Sequence, residues 1–105
     1  MAKNIKPADV LAEVIVKGMQ EKKAKNIVKI DLSHINEAAA DYFVICHGDS
    51  DRQAKAIADS VEDVVRETMS EKPNSREGQG QNRWVLLDYV NVVVHVFQKE
   101  VRDFY

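Results

Sequence analysis

"YFVICHGDSDRQAKAIADSVEDVVRETM", residues 42–69, changes its hydrophobic period once, and that change decides the fold class. Tyr42 to Cys46 is continuously apolar, β-branched or aromatic and halts at His47-Gly48, the pattern of a central strand covered on both faces. From Ser50 onward the period becomes helical: Ser50 and Gln53 form a capping-box signature, and Ala54, Ile57, Ala58, Val61, Val64, Val65 and Met69 mark one amphipathic stripe. A helix is expected from about Asp51 to Ser70. A strand, a helix of some five turns and another strand imply one right-handed parallel crossover, hence a mixed, helix-covered sheet.

Upstream, Val10, Leu11, Val14, Ile15 and Met19 recur at helical spacing behind Pro7, a residue favoured at the first helical position. Gly18 weakens the last turn by about 1 kcal/mol relative to Ala, so the helix ends near it or packs closely on something. Asn26 to Leu32 alternates Ile27, Lys29 and Asp31 against Val28, Ile30 and Leu32, the period of a half-buried strand, and a loop follows through Ala40.

Downstream, Glu71 to Asn82 holds Pro73, Gly78 and Gly80, lacks apolar periodicity, and reads as a mobile surface loop. Trp84 to Leu87 and Asn91 to Phe97 read as two strands, and Phe97, Val101, Phe104 and Tyr105 begin a third helix. The expected order is α-β-β-α-β-β-α. That makes one α/β domain with about four to five strands.

Composition bounds the function. A chain of 105 residues with 45% hydrophobic and 30% charged residues can bury a core without disulfides or a structural metal. Its 15 Lys and Arg against 17 Asp and Glu leave a net charge of −2, which gives no basic excess to hold nucleic acid and favours a basic protein as partner. The single cysteine, Cys46, rules out an internal disulfide and suits a reducing, cytoplasmic compartment. No stretch approaches the roughly 18 apolar residues of a spanning helix, so no membrane association is expected.

Catalytic patterns are thin. Cys46 and His47 are strand neighbours that face opposite ways and do not form a dyad. His34, His47 and His95 are too scattered for a metal site. The Gly48-Asp49-Ser50 turn before a helix is where phosphates are commonly held, and nucleotidyl transfer fits it. That chemistry needs paired carboxylates over the metal, and the neighbouring strands offer only Asp88, with Asn91 where a second acid would sit. Asp49 and Asp51 remain as oxygen donors, although acids in a first helical turn follow from the helix dipole alone.

Five blocks then carry a family resemblance: Asp41-Tyr42-Phe43-Val44-Ile45-Cys46-His47-Gly48; Ser50-Asp51-Arg52-Gln53 with Ala56-Ile57-Ala58-Asp59; Trp84-Val85-Leu86-Leu87-Asp88; Val92 to Phe97; and Arg102-Asp103-Phe104-Tyr105. In this order, over nearly the whole chain, they resemble the Iojap/ribosomal silencing factor family. The resemblance implies a nucleotidyltransferase-like core without catalytic acids, no enzyme activity, no cofactor and no metal. It implies binding to the large ribosomal subunit through ribosomal protein number fourteen, with little direct rRNA contact. The small subunit is thereby kept from joining and translation is repressed. A role in large-subunit biogenesis and a homodimer are also implied. The alternative is a phosphate-handling enzyme on the same core.

The resemblance places docking on Trp84, Leu86, Asp88, Tyr89, Asn91, Val93 and His95. In a strand from Asn91 to Phe97, residues Asn91, Val93, His95 and Phe97 share one face while Val92, Val94 and Val96 share the other, which belongs in the core. The mixed face is then either a contact surface or is covered by the first or third helix, with His95 bonded inside the fold. Val90 stands where relatives usually carry glycine, and Asn91 where they carry aspartate. Relatives continue beyond Tyr105 through a Leu-Glu and a Leu-Trp pair, so the last helix is expected to be truncated here.

Overall fold

The computed structural model describes residues 7–35, 37–38, 40–79 and 83–102. The chain runs α1 (Pro7–Glu21), β1 (Lys25–Asp31), β2 (Tyr42–Gly48), α2 (Asp51–Met69), β3 (Ser75–Gln79), β4 (Trp84–Asp88), β5 (Val92–Gln98) and α3 (Lys99–Arg102). One five-stranded sheet in the order β1-β2-β5-β4-β3 holds them together. The α/β class, the mixed sheet and the strand count are as expected.

The switch of period after Gly48 is made by two side chains. Ser50 sits in extended backbone and its hydroxyl accepts from Gln53 N, while Gln53 Oε1 accepts from Asp49 N at 2.7 Å. The Gln53 amide also donates to the Lys22 carbonyl at 3.2 Å, so this cap ties the start of α2 to the end of α1. There Ala24 N bonds Met19 O and Lys23 N bonds Gln20 O around Lys23 at φ 59, the Schellman pattern with lysine in glycine's usual place. At its far end α2 stops at Ser70, also left-handed, whose N–H bonds Arg66 O.

Both long helices cover one face of the sheet. Ile15 and Met19 of α1 and Ile57, Val61 and Val65 of α2 are fully buried against Val44, Val85, Leu87, Val92, Val94 and Val96. Each such side chain contributes about 1.5–3 kcal/mol of burial, so this layer supplies most of the cohesion. Gly18 does not end α1: a Cβ there would lie 2.8 Å from Val61 Cα, and Ser60 Oγ donates to Gly18 O at 2.8 Å. The glycine is a helix-crossing contact.

Four expectations are corrected. Ser75–Gln79, read as mobile loop, is edge strand β3, paired antiparallel with β4 from Ser75↔Asp88 to Gln79↔Trp84. It carries no apolar signal because backbone bonds hold it, and Arg76 anchors it to Asp59 and Glu62 of α2. In consequence the strand at Trp84 is antiparallel to β5, and the parallel pair is β2 with β5, Tyr42↔Val92 to Gly48↔Gln98. The third helix begins at Lys99, not Phe97, which is still in β5; Phe104 and Tyr105 lie outside the described residues.

The remaining two corrections concern the faces. Strand β2 is interior, but only its Tyr42, Val44 and Cys46 side is sealed throughout; on the other side His47 is buried while Phe43 and Ile45 are half-buried. In β1 the apolar face is the one turned away from α1 and α2, leaving Val28 and Ile30 42% and 38% exposed.

Candidate functional site

Cross-strand register builds the uncovered face in rows. Ile30, Phe43, Val93 and Asp88 form one row, Val28, Ile45, His95 and Leu86 the next, and His47, Phe97 and Trp84 the third. Among the described residues the only helix reaching this face is α3, through Arg102 at the third row. The rows enclose a shallow trough of about 450 Å³.

Aromatic rings line its floor. Trp84 stacks on Phe97 at 5.2 Å and on His95 at 5.9 Å, and Phe43 meets His95 edge-on at 5.1 Å. Trp84 Nε1 donates to His95 Nδ1 at 3.2 Å, which leaves the His95 proton on Nε2, a buried atom with no partner among the described residues. Burial lowers the His95 pKa below its ordinary 6.5, so the ring is neutral near pH 7.

Of the seven expected docking residues, Trp84, Leu86, Asp88, Val93 and His95 come together on this face, and exposed Asn91 stands at its rim. Tyr89 does not. It is 7% exposed and joins the helix-side core, because it continues the alternation of β4 on the side of Val85 and Leu87. His95 bonds inside the fold, as one of its two readings had it, while α1 lies on the opposite face and α3 reaches this one only through Arg102. Sequence reasoning missed Val28, Ile30, Phe43, Ile45 and Arg102 as neighbours of the site. The alternation of β1 was visible, but which of its faces the helices would cover was not.

At the end of the trough His47 Nδ1 lies 2.8 Å from Arg102 Nη1, so the imidazole accepts and is neutral. Burial first, then the Arg102 charge, lowers the His47 pKa. Cys46 points to the opposite, helix-side core, fully buried, its thiol pushed up to about 12 by desolvation. No dyad links them.

The carboxylates are equally separated. Asp49 pairs with Lys25 Nζ at 2.7 Å beyond the end of β2, while Asp88 stands at the opposite end of the sheet in the row of Phe43. Five residues of chain lie between Phe43 and Asp49, a separation of roughly 20 Å in extended backbone. Asp88 therefore shares no metal with Asp49 or Asp51. Among the described residues no three His, Cys, Asp or Glu side chains converge, and no helix is long and apolar enough to cross a membrane.

Fold and face together define a class: a two-layer α/β domain whose long helices cover one side of the sheet and whose other side is an aromatic platform. Residues 5–105 match the family model described as ribosomal silencing factor during starvation. The chain belongs to the ribosomal silencing factor family. It is similar to the ribosomal silencing factor of Halalkalibacterium halodurans, 41% identical over 90% of this chain and 80% of that one. The corresponding Bacillus subtilis protein is 39% identical over 90% of this chain and 79% of its own. The crystal structure of a protein from Chromobacterium violaceum superposes with a TM-score of 0.86 at 31% identity, covering 95% of this chain and 82% of that one.

Proposed function

We propose that this protein docks on the large ribosomal subunit through ribosomal protein number fourteen and so keeps the small subunit from joining, repressing translation. The observation that carries the reading is the uncovered aromatic face built from Trp84, Leu86, Val93 and His95. A contiguous exposed apolar patch rimmed by polar residues is the usual mark of a protein contact. The mechanism needs no bond chemistry: a body of 11.9 kDa occupies an intersubunit surface, and its affinity sets the block. Acidic Asp88 and polar Asn91 at the rim suit a basic protein better than rRNA phosphates. The same reading places the protein in the cytoplasm, gives it a part in large-subunit maturation, and includes a homodimer.

Gradient sedimentation of the protein with purified large subunits, followed by addition of small subunits, tests this directly. Wild type should comigrate with large subunits and suppress joined ribosomes. Trp84→Ala should bind about 30-fold more weakly, the ~2 kcal/mol of an interface anchor. Wild type left at the top of the gradient, with joining unimpeded, refutes the proposal.

A further inference from the structure

Resting on that docking reading, we infer that the β1–β2 hairpin carries the second half of the docking face, so that the partner lies across four strands and not only across β4 and β5. The register is continuous: Ile30 and Phe43 extend the row of Val93, and Val28 and Ile45 extend the row of His95 and Leu86. Val28 and Ile30 are the most exposed large apolar side chains within the sheet, and they lie on the same trough as Trp84 and His95.

Area points the same way. Each outward position of a sheet covers about 32 Å², from a strand spacing of ~4.8 Å and a face repeat of ~6.6 Å. Trp84, Leu86, Asp88, Val93 and His95 alone then present roughly 160 Å² of projected face, small beside the ~800 Å² each partner contributes to a standard stable interface. Adding Val28, Ile30, Phe43 and Ile45 brings it to roughly 290 Å² without leaving the apolar surface.

Two further features fix what kind of partner fits. Strand β1 does not offer a regular edge for pairing with another strand: its register breaks between Lys25 and Val28, where Asn26 has φ 50, and Lys29 interrupts its centre. The occupant therefore lies on the face, not along the edge. The margin formed by Asp88 and, on β3, Glu77 is acidic, and neither side chain has an ion-pair partner among the described residues. A protein surface with an apolar centre and a basic margin on the β3–β4 side meets both demands.

The test is large-subunit cosedimentation of wild type, Trp84→Ala and the double variant Val28→Ser/Ile30→Ser, with thermal midpoints and sedimentation equilibrium of each protein alone. Because both hairpin side chains are substantially exposed, the double variant should keep its midpoint within a few degrees. Its binding should fall by about tenfold or more, alongside that of Trp84→Ala. Binding within twofold of wild type, while Trp84→Ala loses it, overturns the inference and leaves the docking reading standing. Self-association lost in the double variant with ribosome binding unchanged also overturns it, assigning the hairpin to a second copy of this chain. A wild type that does not bind large subunits overturns both.

Discussion

Trp84 donates its indole N–H to His95 Nδ1 across β4 and β5, and this single 3.2 Å bond sets the tautomer of the histidine at the centre of the aromatic face. Protonation at Nδ1 has to break it, and would leave a charge between Phe43, Phe97 and Trp84. In an NMR titration His95 should therefore report Nε2–H at neutral pH and a midpoint below 6.5. Trp84→Phe keeps an aromatic ring but removes the donor, so the midpoint should rise toward 6.5. An unchanged midpoint would mean that the bond does not help to hold the ring neutral.

His47 gives a second pH dependence of the same sign. Burial is the first cause of its lowered pKa, and Arg102, Lys25 and Lys99 add to it against Asp49. Since the unfolded chain takes up protons on this histidine more readily than the folded one, stability is complete above about pH 6.5 and falls as pH drops through the folded pKa. Arg102→Gln removes a cation that donates to Nδ1; the His47 midpoint should rise, and its share of the loss on acidification should shrink. Thermal melts between pH 7 and 5, read beside the NMR midpoint, check both.

Gly18→Ala pits helix propensity against packing. Alanine favours the helix by about 1 kcal/mol, but its Cβ would sit 2.8 Å from Val61 Cα and 3.3 Å from Ser60 O, both backbone atoms. Overpacking of this kind costs about 1–3 kcal/mol, and Ser60 Oγ holds the two helices at this spacing. The midpoint of thermal unfolding should fall by roughly 5 °C or more. A rise would show that α1 and α2 separate readily.

Val90→Gly should stabilise. Val90 has φ 74, and Asn91 N bonds Tyr89 O across it at 2.9 Å, the closure of a γ-turn with positive φ, which a β-branched residue tolerates poorly. Relief of strain of about 1–3 kcal/mol outweighs the extra chain entropy of glycine, about 0.5–1 kcal/mol. A raised urea midpoint, equivalent to a net gain of about 1 kcal/mol in unfolding free energy, is expected, with Val90 N to Asp88 Oδ1 retained. An unchanged or lowered midpoint refutes the strain.

Much of the molecule was legible where local chemistry was strong. The change of period at Ser50, the capping pair Ser50 and Gln53 and the valine face of β5 were all readable in the sequence, whereas Gly18 left open whether the helix ends or packs closely there. Less legible were features whose cause is remote in sequence. Strand β3 has no hydrophobic alternation to announce it; its order comes from pairing with β4 and from Arg76 reaching acids on α2. Tyr89 is a different case: the alternation that turns Val85 and Leu87 inward carries it into the core too, so its burial could be read from the strand period.

By itself the sequence determined which segments are helix and which are apolar strand, because capping, turn chemistry and hydrophobic period act within a few residues. The family likeness of its ordered blocks was equally a property of the sequence. Tertiary structure alone decided which side of an apolar strand is sealed. Val28 and Ile30, or Phe43 and Ile45, are as hydrophobic as the buried valines, but α1 and α2 both pack on the opposite face. Burial depends on where the helices land, a relation between residues far apart in the chain, and so the face left for a partner could be located only in three dimensions.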